Sequence, residues 1–147
     1  MLDVFDRTAI DYHCGLSCTG ADIAEVLDRA IEKRNLDLMP TVRTDNGPQF
    51  ISNAFEIYCH NNGIKHERIP TETPNAIAHI EAFHSILEDD CLCYHELESF
   101  QEAYCKVMEF MTYYNRERLH SAIGYQPPYE YYKEVISNPE KMLPMIA

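Results

Sequence analysis

The chain has 147 residues, of which 46% are hydrophobic, and this length and composition indicate one globular domain that can bury a core. Its 12 Lys and Arg residues stand against 24 Asp and Glu residues, which gives a net charge of −12. Proteins that grip nucleic-acid phosphates usually carry a basic surface, so composition alone argues against DNA as a partner.

The sequence also argues against a membrane segment and an export signal. The longest apolar runs are far too short to span a bilayer, and the first residues carry acids where a signal peptide carries bases. We therefore expect a cytoplasmic protein with no membrane partner. The six cysteines are interpreted as free thiols, because a chain of this length folds without disulfides.

Zinc binding is the alternative use of these cysteines. Two short groups contain zinc-ligand residue types, but neither has the paired spacing that is typical of a structural zinc site. The groups are His13, Cys14 and Cys18, and Cys91, Cys93 and His95.

The first 35 residues predict a hairpin followed by a helix. Residues 2–5 and 8–14 have the pattern of two short strands, and Asp6 and Arg7 form the turn between them. Thr19 can then cap a helix, with Asp22 three residues later as a capping-box variant. The helix runs to about Asn35, and its core-facing stripe consists of Ile23, Val26, Leu27, Ala30 and Ile31.

Residues 36–69 predict a link, a strand, a helix and a second strand. Residues 41–44 form the first strand, and residues 46–48 form the turn that ends it. Ser52 can cap the helix that follows, and Asn62 and Gly63 end it. The apolar face of this helix carries Phe55, Tyr58 and Cys59, and residues 64–69 return as a strand.

Asp45 lies at the carboxyl end of the first of these strands, where open α/β sheets tend to bind ligands. Gly47 is expected to supply a positive φ angle in the turn. Taken alone, an Asp before Asn-Gly is more often a turn former than a ligand. The turn by itself therefore does not establish a site.

Glu81 is predicted to lie on a helix. Thr73 can cap this helix and Pro74 suits its first position, and a loop of Thr, Glu and Pro precedes it. Apolar residues recur at helical spacing and leave Glu81 beside an apolar face: Ile77, Ile80, Phe83 and Leu87. Glu81 alone could be a solvated carboxylate, but a strand-end Asp and a helical Glu that meet would form half of a divalent-metal site.

A further helix is predicted from Ser99 to Arg116. Its apolar positions are Phe100, Ala103, Tyr104, Val107, Phe110, Met111 and Tyr114. Residues 121–147 are rich in Pro and Tyr, and we expect them to form a wrapping tail.

Three segments, taken in order and with their spacing, resemble a known family. They are TDNGPQF at 44–50, NAIAHIEAFHSIL at 75–87, and YNRERLHSAIGY at 114–125 with Pro128 after it. Thirty-five residues separate Asp45 from Glu81. This arrangement resembles the integrase catalytic core of IS3-type insertion-sequence transposases, in the superfamily of DDE transposases and retroviral integrases. The resemblance assigns residues 1–132 to a partial core and residues 133–147 to a C-terminal tail.

The resemblance implies an RNase H-like α/β fold with a mixed sheet flanked by helices. The family's first catalytic Asp lies on a strand that precedes the hairpin, so we expect this chain to lack its first strand and that Asp. Asp3 and Asp11 are the early acids that could substitute. With an incomplete acidic set the chain is expected to be inert, and whether it acts as an enzyme stays open.

The chemistry implied is metal-dependent DNA cleavage and strand transfer during transposition or integration. In this family three carboxylates hold two Mg²⁺ or Mn²⁺ ions, which activate a water or 3′-hydroxyl and stabilise the leaving oxygen. The resemblance makes Asp45 and Glu81 the catalytic and metal-binding residues. Its implied partners are the transposon ends, target DNA and further copies of the chain.

Candidate DNA-binding residues lie beside these carboxylates and in the closing segment. Asn46 and Gln49 are the loop neighbours of Asp45, and Arg116, Arg118 and His120 are the basic residues of the closing segment. The basic residues could contact DNA or pair with nearby acids. Many relatives have Lys at position 88, whereas this chain has three consecutive acids there.

Two other functions remain open from the sequence. The first is a non-catalytic RNase H-like remnant, or a protein-interaction module, whose acidic surface keeps it off DNA. The second is a stand-alone nuclease of the RNase H type, which would need a full acidic set that the sequence does not provide.

Overall fold

Helices alternate with two short parallel strands in the first half of this chain and follow one another in the second half. The computed structural model describes residues 1–36, 38–70, 78–94 and 96–141. The elements are α1 (Gly20–Arg34), β1 (Thr41–Thr44), α2 (Asn53–Asn61), β2 (Lys65–Arg68), α3 (Ala78–Asp90), α4 (Phe100–Arg116) and α5 (Pro128–Ser137). Short 3-10 turns lie at Leu92–Tyr94, Ser121–Ile123 and Pro139–Lys141.

The chain divides into two compact units, and the prediction of one domain from its length stays a prediction. The first unit consists of Met1 and Ile10–Ala82, and the second consists of Leu2–Ala9 and Phe83–Ala147. The predicted boundary at residue 132 stays a prediction, and α5 runs across that position.

Helix α1 forms as its sequence predicts. The Thr19 side chain accepts a hydrogen bond from the backbone N–H of Asp22, and the Asp22 carboxylate accepts one from the backbone N–H of Thr19 at 2.7 Å. This capping box satisfies donors that a helix start leaves unpaired. The helix ends at Asn35, whose left-handed backbone (φ 46°) closes the last turn.

Strands β1 and β2 pair in parallel, in the register Thr41 with Lys65 through Thr44 with Arg68. The backbone N–H of Ile69 continues the pairing by donating to the carbonyl of Thr44 at 2.9 Å. Helix α2 connects the strands: Ser52 caps its start, and Gly63 takes a positive φ of 66° just after its end. This strand–helix–strand unit places Asp45 at the carboxyl end of β1.

The core of the first unit lies between α1, α2 and the strand pair. Phe55 on α2 is fully buried and meets the ring of Phe50 edge-on, with centroids 5.8 Å apart. The buried cluster consists of Leu27, Val42, Phe55, Cys59 and Ile64. The apolar stripes predicted for α1 and α2 therefore face this core.

The predicted hairpin of residues 2–14 is reduced to an antiparallel bridge between Leu2 and Ala9, so the prediction of two strands is wrong for the described residues. Local side chains capture backbone groups that a ladder would use: Asp3 Oδ1 accepts from Phe5 N–H at 2.8 Å, and Asp6 Oδ1 accepts from Thr8 N–H at 2.9 Å. Asn115 binds both the N–H and the carbonyl of Ala9, each at 2.9 Å.

An aromatic cluster holds α3 and α4 together within the second unit. Tyr114 packs edge-on against Phe83 with centroids 4.9 Å apart, and Phe110 lies 5.9 Å from Tyr114. Ser99 caps α4 by accepting from Glu102 N–H at 3.1 Å, as expected from the sequence.

The segment predicted as a wrapping tail contains α5, so that prediction is wrong for residues 128–137. Pro128 occupies the start of this helix, where its missing N–H costs no hydrogen bond, and Tyr131 is buried one turn later. Within the described residues, no helix is both long enough and apolar enough to cross a membrane.

Candidate metal and nucleic-acid site

Asp45 is an exposed carboxylate in a tight turn directly after β1. Its Oδ1 accepts a hydrogen bond from the backbone N–H of Gly47 at 2.8 Å. Gly47 does not have the positive φ that the sequence suggested, so that prediction is wrong. The Asp45 side chain closes the turn without a left-handed residue, and a Cβ at Gly47 would lie 3.0 Å from Asp45 Oδ1.

The loop that carries Asp45 is tied to the end of β2. The Asn46 side-chain amide donates to the carbonyl of Ile69 at 3.0 Å, and the Thr44 hydroxyl donates to the carbonyl of Asp45 at 2.8 Å. The turn continues with Phe50 N–H donating to the Gly47 carbonyl at 2.9 Å. The Asp45 backbone is therefore fixed from both sides while its carboxylate stays open to solvent.

Glu81 is an exposed residue in the first turn of α3. A carboxylate there is stabilised by the positive end of the helix dipole. The predicted cap and apolar residues before it, Thr73, Pro74 and Ile77, lie outside the described residues. Glu81 and Asp45 both belong to the first unit, and the approach of their carboxylates remains a prediction.

The donor chemistry of Asp45 and Glu81 suits a hard divalent cation. Both residues offer exposed carboxylate oxygens, which Mg²⁺ and Mn²⁺ prefer as ligands. In Asp45 the Gly47 N–H binds Oδ1, which leaves Oδ2 to bind an ion. Among the residues that the structure describes, no group of three or more His, Cys, Asp or Glu side chains could hold a metal ion. The described cysteines are free thiols, as the sequence predicted.

Asp11, one of the early acids that could substitute for a third carboxylate, is already engaged by two cations. Its Oδ2 accepts from Arg29 Nε at 3.0 Å and from Lys33 Nζ at 2.9 Å, and the residue is buried. Burial raises the pKa of the Asp11 carboxyl, but the hydrogen bonds from Arg29 and Lys33 outweigh it, so the pKa lies below its usual value. Asp11 is thus a structural ion-pair residue.

The two arginines of the closing segment have different environments. The Arg116 guanidinium lies over the Tyr129 ring, 5.1 Å from its centroid, and Arg116 is exposed. Arg118 pairs with Asp90, with 3.3 Å between Nε and Oδ2. Arg116 therefore retains a charge that can meet a phosphate, whereas the charge of Arg118 is compensated.

His120 packs into the second unit. Its ring meets Tyr114 edge-on at 4.8 Å, and its buried Nε2 has no hydrogen-bond partner among the described residues. Burial, aided by the charges of Arg118 and Arg7, lowers the pKa of His120 to about 4. His120 is therefore uncharged at neutral pH and contributes no cation to a DNA surface.

The pKa of His120 makes the stability of the second unit depend on pH. An unfolded His titrates near pH 6.5, so between about pH 6.5 and 4 the unfolded state binds more protons and the fold loses stability as pH falls. Because His120 is only half-buried, we expect a loss of about 1–2 kcal/mol between pH 7 and pH 4.5. His120→Phe keeps the ring and should remove this component in urea titrations at both pH values. An unchanged pH dependence in that variant would contradict the prediction.

Gln49 lies in the Asp45 loop, and its backbone carbonyl accepts from the Ser52 hydroxyl at 2.8 Å. Its role in DNA binding, like that of Asn46, remains a prediction.

Sequence reasoning missed two residues, one beside Asp45 in the first unit and one in the second unit. His66 on β2 contacts the Thr44 hydroxyl beside Asp45, and Asn115 holds the backbone of Ala9. A single His among the charged residues of a short strand was the available signal for the first residue. The Tyr-Asn pair that opens the closing segment was the signal for the second.

Comparison with known proteins gives consistent matches along the chain. Two family models, both described as integrase core domain, match residues 1–74 and 62–128. An uncharacterised 39.2 kDa protein of insertion element IS476 from Xanthomonas euvesicatoria is 34% identical over 131 residues, which are 89% of this chain and 37% of the relative. A transposase for insertion sequence element IS904 from Lactococcus lactis is 23% identical over 133 residues, which are 90% of this chain and 53% of that protein.

A solved structure has a similar fold. The catalytic core domain of BIV integrase superposes with a TM-score of 0.57 at 24% identity, covering 83% of this chain and 76% of that one. This similarity confirms the predicted RNase H-like α/β fold. The chain spans about a third to a half of the length of the curated relatives it matches.

Proposed function

Since this chain belongs to the integrase core domain family, we propose that it contributes to a DNA transposase core that cuts and joins DNA strands. The observation that carries the proposal is the Asp45 turn: an exposed carboxylate at the end of β1, tied to β2, with Glu81 on a helix and 35 residues between the two in the sequence. Relatives that are encoded by insertion elements support the reaction class.

Asp45 and Glu81 would hold Mg²⁺ or Mn²⁺ through their carboxylate oxygens. A bound divalent ion supplies activation of a water or 3′-hydroxyl and stabilises the leaving oxygen of a phosphodiester. The chain's own contribution is orientation: Thr44 and Asn46 fix the Asp45 backbone, and the Gly47 N–H holds one oxygen of its carboxylate. This fixed carboxylate lowers the cost of arranging ligands when the ion binds.

The proposed partners are DNA and further copies of the chain. Arg116 is the better candidate for a DNA contact among the basic residues of the closing segment. Asn46 and Gln49, which neighbour Asp45 in its turn, are the candidates in the first unit. Arg118 and His120 were predicted with Arg116, but the first is paired with Asp90 and the second carries no charge at neutral pH. We therefore propose that Arg118 and His120 act mainly by shaping the second unit.

DNA binding by this chain alone is expected to be weak and strongly salt-dependent, because a net charge of −12 opposes phosphate. Arg116→Ala should lower the affinity for a DNA duplex about two- to fivefold at low salt and should reduce the salt slope by about 1. Fluorescence anisotropy at several salt concentrations measures both quantities. Lys65→Ala, which removes a cation held by Glu67, is the matched control and should change little. Tight binding at physiological salt would contradict this prediction.

The experiment that tests the function is a strand-transfer assay on duplexes that carry the ends of the insertion element. The chain is assayed alone and extended by the sequence encoded immediately upstream in its gene, in Mg²⁺, in Mn²⁺ and in chelator. We expect joined products that need the divalent ion, because the carboxylates act on the phosphodiester through it. Metal-independent products, or no product from any extended form, would refute the proposal.

A non-catalytic, protein-binding role is the second candidate. The acidic balance and the Arg118–Asp90 pair favour it, because both reduce the positive charge offered to DNA. This role predicts a folded extended chain that neither binds divalent ions through Asp45 nor joins strands.

A further inference from the structure

His66 is a buried polar residue beside the Asp45 turn. Its side chain is only 5% exposed, and its ring meets Phe55 edge-on with centroids 5.0 Å apart. Its Nε2 lies 2.8 Å from the hydroxyl oxygen of Thr44, which is also buried. A polar atom in such a place contributes to the fold only if its hydrogen bond is made.

The direction of this hydrogen bond follows from the Thr44 hydroxyl. A hydroxyl has one hydrogen, and that of Thr44 is donated to the carbonyl of Asp45 at 2.8 Å. With the Nε2–H tautomer, which this network assigns to His66, the ring donates to the Thr44 oxygen. On the other side of the ring, Nδ1 lies 3.6 Å from Glu56 Oε1, so a carboxylate on α2 faces the second nitrogen.

The result is a relay of two hydrogen bonds from β2 to the residue that carries the proposed metal ligand. His66 orients the Thr44 hydroxyl, and this hydroxyl fixes the peptide carbonyl of Asp45. The Asn46 side chain anchors the next residue to Ile69. The Asp45 peptide can rotate only if one of these bonds breaks, and this rotation would move the carboxylate.

We propose that His66 is a positioning residue for Asp45, acting through the Thr44 hydroxyl to hold the turn in the orientation that presents the carboxylate. The importance of this orientation for metal binding rests on the proposed function, whereas the effect on the turn does not.

Two substitutions of His66 separate positioning from packing. His66→Phe keeps a ring against Phe55 and removes the donor, whereas His66→Gln keeps a donor at similar reach and loses the ring. Thr44→Val removes the hydroxyl at nearly constant volume. Tyr58→Phe, which removes a hydrogen bond to Asp28 elsewhere on α2, controls for general loss of stability.

Amide hydrogen exchange followed by NMR on the metal-free chain is the primary readout. In His66→Phe and in Thr44→Val, the amides of Gly47 and Phe50 should exchange about fivefold faster, the effect of losing one hydrogen bond. The amide of Asn35, at the far end of α1, should be unchanged. His66→Gln and Tyr58→Phe should match the wild-type chain. The double variant Thr44→Val with His66→Phe should add little to either single change, because both remove the same relay.

Wild-type exchange at Gly47 and Phe50 in His66→Phe would overturn the proposal. Equal acceleration in His66→Gln and His66→Phe would also overturn it, because packing would then explain the effect. If His66→Phe fails to fold, His66→Gln decides: exchange at Gly47 and Phe50 at the wild-type rate supports the proposal, and accelerated exchange overturns it.

A second arm adds Mn²⁺ and follows the paramagnetic broadening of the Gly47 amide. If Asp45 binds the ion, broadening is lost in Asp45→Asn and weakened about fivefold in His66→Phe. Absence of broadening in the wild-type chain would count against the proposed function, while the exchange rates would still decide the role of His66.

Discussion

Asp45→Asn and Glu81→Gln are each expected to reduce metal-dependent strand transfer by the extended chain at least about 100-fold. Each substitution removes a negative charge and a carboxylate oxygen from the set that would hold the ion, and ligand loss exceeds the 10- to 100-fold effect of outer partners. The fold should survive, because an amide oxygen at position 45 can still accept from the Gly47 N–H. Product yield in Mg²⁺ and Mn²⁺ measures the effect.

Asp89→Asn is the matched control for this prediction, because Asp89 is an exposed carboxylate on the same helix as Glu81. It should retain wild-type strand transfer. If Asp45→Asn kept more than about a tenth of the activity, Asp45 would not be a metal ligand in the reaction. If Asp89→Asn lost as much strand-transfer activity as Glu81→Gln, the loss would not be specific to the Glu81 carboxylate.

Phe55→Ala is expected to lower the free energy of unfolding of the first unit by about 3–5 kcal/mol, the range for removing a fully buried aromatic ring. The ring contacts Phe50 and His66, and its loss leaves a cavity between α2 and the strand pair. Urea titration combined with hydrogen exchange measures the loss in the first unit separately from the second.

Ile57→Ala provides the comparison on the same helix, since Ile57 is 59% exposed. The free energy of unfolding of the Ile57→Ala variant should differ from that of the wild-type chain by no more than about 1 kcal/mol, because the substitution removes mainly contacts at the surface. A loss below about 1 kcal/mol in Phe55→Ala would mean that the core repacks around the cavity.

Local signals explain what the sequence predicted well. The capping box of Thr19 and Asp22, the Ser52 and Ser99 caps and the end of α2 at Gly63 involve residues within a few positions of one another. The position of Asp45 in a turn after β1 was also predicted from local chemistry, because a turn after a short strand is visible in the sequence. Its role as a metal ligand, like that of Glu81, rests on the longer spacing and the family resemblance and stays a prediction.

Long-range and competing contacts explain what the sequence did not predict. The pairing of residues 2–14 stops at the Leu2–Ala9 bridge because the Thr8 N–H donates to Asp6 and the Asp3 carbonyl accepts from the Arg7 N–H. Asn115 binds the polar groups on the other side of Ala9. His66 was missed because its partner, Thr44, lies on the neighbouring strand, and parallel pairing cannot be inferred from either strand alone.

The bond between Asn115 and Ala9 also constrains the order in which segments of the chain can fold during synthesis. The two residues are 106 positions apart, so at about 5–20 residues per second the ribosome needs roughly 5 to 20 seconds to supply Asn115 after Ala9 has been made. Throughout that interval the Ala9 backbone can bond only to water or to a wrong partner, whereas all of Ile10–Ala82 becomes available earlier. Leu2–Ala9 is made before Ile10–Ala82 but is therefore expected to reach its native contacts after it.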